Sequence, residues 1–121
     1  MLNGLRTVIY KVKELELAKK WYTSFVGHPP YFDQPFYVGY NVGGYELGLD
    51  PNQDHLTTGN NVVTYWGVDD LRAEVARVHA LGARVVSDVQ DVGDGILVAT
   101  VADPFGNVIG LIQNPNFKLE A

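Results

Sequence analysis

The chain repeats itself once, and that repeat constrains its fold more than any other feature. Val12-Lys13-Glu14-Leu15 matches Val68-Asp69-Asp70-Leu71, Phe25-Val26-Gly27 resembles Ala80-Leu81-Gly82, and Leu47-Gly48-Leu49 matches Ile109-Gly110-Leu111. Two copies cannot stack into a solenoid. They predict one duplicated unit in a single domain over residues 1–121: module one at 1–50, a linker at 51–61 and module two at 62–114.

Each module reads as βαβββ. In module one a strand is predicted over 5–12, with Val8, Tyr10 and Val12 on one face and Thr7, Ile9 and Lys11 on the other. A helix follows over 14–26, its buried stripe Leu15, Ala18, Tyr22 and Phe25, stopped by Gly27 and by His28-Pro29-Pro30. Strands at 31–33, 36–42 and 45–49 complete the unit, the last two joined by a Gly43-Gly44 turn. In module two the strands are 62–68, 84–89, 96–101 and 108–112, and the helix is 70–81 with Leu71, Val75, Val78 and Leu81 inward. Asp103-Pro104-Phe105-Gly106-Asn107 is strong hairpin chemistry. The class is therefore α+β. A four-stranded sheet cannot bury its apolar face alone, so the sheets are expected to pair with the helices outside.

Composition narrows the function. A net charge of -5 without a basic cluster argues against nucleic acid and anionic membranes as partners. The absence of cysteine removes disulfides and thiol catalysis and agrees with a cytoplasmic location. No apolar run is long enough to span a bilayer. Aromatics make up 12% of the chain and crowd between Tyr10 and Tyr45, which points to an aromatic-lined cavity in the first half.

Three stretches carry a family likeness. Trp21-Tyr22-Thr23-Ser24-Phe25-Val26-Gly27, Val68-Asp69-Asp70-Leu71 and Asp103-Pro104-Phe105-Gly106-Asn107-Val108-Ile109 together resemble the glyoxalase/bleomycin-resistance/extradiol-dioxygenase (vicinal oxygen chelate) superfamily. The resemblance covers nearly the whole chain. It implies a cupped mixed β-sheet arrangement around a cavity, usually in a homodimer. Metal-dependent relatives carry His, Gln or Glu on the first and last strand of each module. Those places fall here on Thr7, Val63 and Gly110, with the fourth on Glu46 by the family's Glu-Leu pair or on Gly48 by the internal repeat.

That set offers one carboxylate and one neutral hydroxyl, whereas a catalytic zinc takes about three protein ligands. The expectation is a degenerate metal site and no cofactor. The three histidines read as bystanders: His28 in an exposed loop, His55 in the polar linker and His79 on the outer side of a helix. Strand parity places Thr7, Ile9, Lys11, Glu46 and Gly48 on the cavity side, with Tyr65 in module two and Tyr37 and Asn41 on the third strand. The same positions also suit ordinary sheet packing. Trp21 and Trp66 read as core or interface.

Glu46 is the one catalytic candidate, as a general base or as the seat of a cationic ligand. Lys11 is its expected partner. A lone carboxylate would leave Glu46→Gln as stable as the parent, or more so. The favoured reading is a metal-independent small-molecule binder, sequestering a planar or hydrophobic compound. The alternative is an enzyme that uses Glu46 or a metal site the sequence does not reveal.

Overall fold

The computed structural model describes residues 1, 3–54, 56 and 62–118. The chain divides into two compact units, Met1–Thr58 and Gly59–Ala121, so the boundary falls inside the predicted linker. His55 and linker residues 57–61 lie outside the described residues.

Unit one runs β1(Thr7–Lys11), α1(Leu15–Val26), β2(Phe32–Gln34), β3(Tyr37–Val42) and β4(Tyr45–Asp50), as expected for one βαβββ copy. Its sheet has the order β1-β4-β3-β2, with β1 parallel to β4 and the other pairs antiparallel. α1 packs on the face that carries Tyr10, Val38, Tyr40, Leu47 and Leu49, all buried with Ala18 and Tyr22 of the helix. Tyr10 stacks on Tyr22 with ring centroids 5.8 Å apart. The Tyr40 hydroxyl donates to the Lys19 carbonyl, which satisfies a polar group inside this core. Gly27 caps α1 at φ 93°, a left-handed conformation that costs glycine little.

Unit two repeats the plan with β5(Tyr65–Gly67), α2(Leu71–Ala80), β6(Arg84–Asp91), β7(Leu97–Ala102) and β8(Val108–Gln113), in the order β5-β8-β7-β6. α2 buries Leu71, Val75 and Val78. Asp70, expected as the first helical residue, instead caps the helix by accepting from the Ala73 N–H. The Asp103 hairpin is built as its sequence demands. Asp103 is buried and accepts from the Phe105 and Asn107 backbone N–H groups and from the Asn107 side chain.

Several boundaries differ from the sequence expectation. β1 starts at Thr7 rather than at residue 5, and Leu5 and Arg6 are exposed. β2 is shifted one residue toward Gln34, although the Tyr31 N–H still donates to the Gly39 carbonyl at 3.0 Å. β5 starts at Tyr65 rather than at residue 62, since pairing to β8 reaches back only to the Thr64 carbonyl. Val62 and Val63 are consequently exposed. Leu15 and Leu81, at the helix ends, are half-buried rather than core. No helix among the described residues is long and apolar enough to cross a membrane.

Candidate functional site

The face of the first sheet that α1 leaves uncovered collects the predicted residues. Registry sets Thr7 beside Glu46, Ile9 beside Gly48 and Lys11 beside Asp50 on β1 and β4. Across the β3–β4 pair, Asn41 stands opposite Glu46 and Gly39 opposite Gly48. Directly paired residues share a face, so Thr7, Ile9, Lys11, Tyr37, Asn41, Glu46 and Gly48 are all on this side.

Two glycines make room for aromatic rings on that face. The Tyr37 ring lies over Gly48, where an added Cβ would come 2.0 Å from the hydroxyl. The Tyr31 and Tyr37 rings both lie against Gly39, each 3.3 Å from where its Cβ would be. From these seats both hydroxyls reach Glu46. Tyr31 donates to Oε1, and Tyr37 donates to Oε2 at 2.5 Å. Burial first, and then the bond to Glu46, pushes the Tyr37 phenol well above the usual tyrosine range. The Glu46 bond is the leading cause of the upward shift at Tyr31. Both phenols therefore stay protonated and act as donors.

Lys11 does not supply the partner that was expected for Glu46. Its Nζ is 2.9 Å from Asp50 Oδ2, because registry sets those two residues side by side. The lysine and the Asn52 backbone N–H hold the Asp50 carboxyl below its ordinary range. Asn41 lies on the right face, but its Oδ1 accepts from the Gly44 N–H and so serves the hairpin turn. Phe32 and Phe36 extend the aromatic surface, edge to face at 6.0 Å, and both are exposed.

The corresponding face of the second sheet differs in chemistry. Tyr65 pairs with Gly110 exactly as Ile9 pairs with Gly48. This register makes Gly48 the internal counterpart of Gly110, and it matches Glu46 to Val108. The Tyr65 ring lies over Gly110, 2.7 Å from an added Cβ. Val98, Val108 and Ile112 share this face with Thr100, so it carries no carboxylate. Val63 lies ahead of the strand and is exposed.

His28 and His79, the two described histidines, lie at exposed positions. His28 is exposed, with Nδ1 against the Pro29 carbonyl, and His79 is exposed on α2 with Nδ1 against the Ala83 carbonyl. Among the described residues no three His, Cys, Asp or Glu side chains gather as metal ligands would. Sequence reasoning missed the site roles of Tyr31, read as the first residue of a strand, and of Asp50, read as the last residue of module one. The crowding of aromatics before Tyr45 was the available signal for Tyr31.

The glyoxalase-like domain family matches residues 7–112. No curated protein matches the sequence. Solved structures share the fold. A glyoxalase-related enzyme from Fulvimarina pelagi is 20% identical with a TM-score of 0.79, over 99% of this chain and 94% of that one. A glyoxalase/bleomycin resistance protein from Albidiferax ferrireducens T118 is 22% identical, with a TM-score of 0.76 over 92% and 98%. The genomically encoded fosfomycin resistance protein of Listeria monocytogenes is 13% identical, with a TM-score of 0.76 over 96% and 97%. At these identities the likeness speaks for the fold alone.

Proposed function

We propose a function from one premise: this chain belongs to the glyoxalase-like domain family. On that fold it binds a small, planar organic molecule, hydrophobic or cationic, on the open face of the first sheet, and it does so without a metal. The observation that carries this reading is the Glu46 carboxylate, held by the Tyr31 and Tyr37 hydroxyls above the Gly39–Gly48 floor. A carboxylate has about four acceptor sites, so two donated bonds orient it and leave capacity for a ligand. The exposed Phe32 and Phe36 rings beside it favour stacking and cation–π contact.

The donor set supports the metal-independent part. Of the family ligand places, Val63 and Gly110 have no donor and Thr7 has a neutral hydroxyl; the fourth is either Gly48, which has no donor, or Glu46, which already accepts two phenols. These residues do not fit a divalent transition metal. Proteins named for drug resistance stand among the structural neighbours. A homodimer is part of the proposal: β2 and β5 are three-residue edge strands that a second copy would cover. Light scattering at micromolar concentration that gives 13.4 kDa would contradict it.

The test is a thermal-shift screen of planar organic cations against the parent and Glu46→Gln, with and without EDTA. The expected result is a shift in the parent that EDTA leaves unchanged, and binding about tenfold weaker in the variant. Equal binding by the variant, or a shift that EDTA abolishes, overturns the reading.

A further inference from the structure

Module two holds an open groove of about 290 Å³ between α2 and β6. Ligand pockets span roughly 300–1,000 Å³, so this one is at the small end and has room for only a small molecule, partly exposed. Its helix wall is Arg72, Val75, Ala76 and His79, a single i, i+3, i+4, i+7 stripe. Its strand wall is Val85, Asp88 and Val89. Regular alternation would not put Asp88 and Val89 on the same side. A bulge in β6 does so. Ser87 faces Thr100 and Gln90 faces Val98, which leaves Asp88 and Val89 together opposite Ala99.

Module one shows why the groove is open. The counterpart of Ala99 is Val38, whose β2 partner is Asp33. There Lys19 of α1 closes onto Asp33 at 3.1 Å. By the internal repeat, the helix position of Lys19 is occupied in module two by Val75. Asp88 therefore meets a valine instead of an ammonium, and its Oδ1 accepts only from the adjacent Val89 N–H. Arg72 forms no ion pair among the described residues, whereas Arg77 on the same helix is held by Glu74 at 2.9 Å. The groove thus presents an unneutralised cation on the helix wall and an unneutralised anion on the strand wall, with valines on both walls.

We propose that this groove is a second binding site, for a small zwitterion with an apolar body: the chemistry of a free apolar amino acid. Arg72 takes the carboxylate through its planar fork, Asp88 takes the ammonium, and Val75, Val85 and Val89 seat the side chain. His79 closes one end, its ring oriented by the Nδ1–H bond it donates to the Ala83 carbonyl.

The test is a backbone-amide NMR titration with L-leucine, repeated with L-leucinamide and with isocaproate, which lack the carboxylate and the ammonium respectively. L-leucine should shift α2 and β6 amides saturably, with a dissociation constant of about millimolar. Each truncated probe should bind about tenfold more weakly, as should Arg72→Gln and Asp88→Asn with the parent probe. Both variants change exposed side chains, and an otherwise unchanged spectrum verifies the fold. Glu46→Gln should bind leucine like the parent, which separates this site from the one on the first sheet. The proposal is overturned by any of three results: no saturable shift, undiminished binding of isocaproate or by Asp88→Asn, or shifts confined to the neighbours of Glu46.

Discussion

In both modules a tyrosine ring lies over a glycine at the centre of the last strand, but the ring arrives from opposite sides. Over Gly48 it is Tyr37 from β3, and over Gly110 it is Tyr65 from β5. The first arrangement brings a hydroxyl to Glu46; in the second, the position of Glu46 is held by Val108. The duplicated backbone keeps the vacancy above the strand and leaves each module to fill it differently. What separates the faces is the side chain two residues before the glycine, a carboxylate at Glu46 in one and an apolar Val108 in the other.

The glycines provide the largest expected break in that comparison. Gly110→Ala would set a Cβ 2.7 Å from the Thr64 carbonyl oxygen and from the Tyr65 ring, and backbone cannot move cheaply. A loss of about 3 kcal/mol is expected. Gly48→Ala meets only the far end of Tyr37, which can swing aside, so about 1–2 kcal/mol is expected. Adding Tyr37→Phe should recover part of the Gly48→Ala loss, because it removes the hydroxyl, the nearest atom struck, while the ring carbons at 2.5 and 2.8 Å remain. Urea denaturation of the variants measures all three. Equal losses at the two glycines would mean that the modules do not differ in this way.

The tyrosines sharpen the comparison at smaller scale. Tyr37→Phe removes a donor from Glu46 and should cost about 1 kcal/mol near neutral pH. Tyr31→Phe, on an exposed ring, should cost less. Both phenols titrate above their ordinary value in the folded protein, so the folded state favours their neutral form. Their contribution is complete below the unfolded tyrosine value of 10.0 and falls as the pH rises from there through the folded values. Parent stability should therefore drop above about pH 10, and the Tyr31→Phe/Tyr37→Phe double variant should show a shallower alkaline limb in urea midpoints. A limb of unchanged slope would place the titration elsewhere.

The finding at Glu46 also reverses an expectation. A lone carboxylate would make Glu46→Gln neutral or stabilising. An amide oxygen and an NH₂ group cannot accept two phenol protons as a carboxylate does, so the smallest effect expected is a slight loss, readable as a lower melting temperature.

Local chemistry settled the fold at the level of sequence. Gly27 and the Asp103 hairpin each act within a few residues of themselves, and each does in the structure what its context predicts. Two-residue periodicity likewise fixed which face Thr7, Ile9, Glu46 and Gly48 share. Partner choice was settled only by the tertiary structure. Whether Lys11 reaches Glu46 or Asp50 depends on the register of β1 against β4, a contact 39 residues apart in sequence. Whether Glu46 or Gly48 corresponds to Gly110 depends on that same register. The approach of Tyr31 to Glu46 from beyond the edge strand, and the bulge that turns Asp88 toward α2, leave no periodic trace in the chain. Periodicity records which side a residue faces; only the packed sheet decides what it meets there.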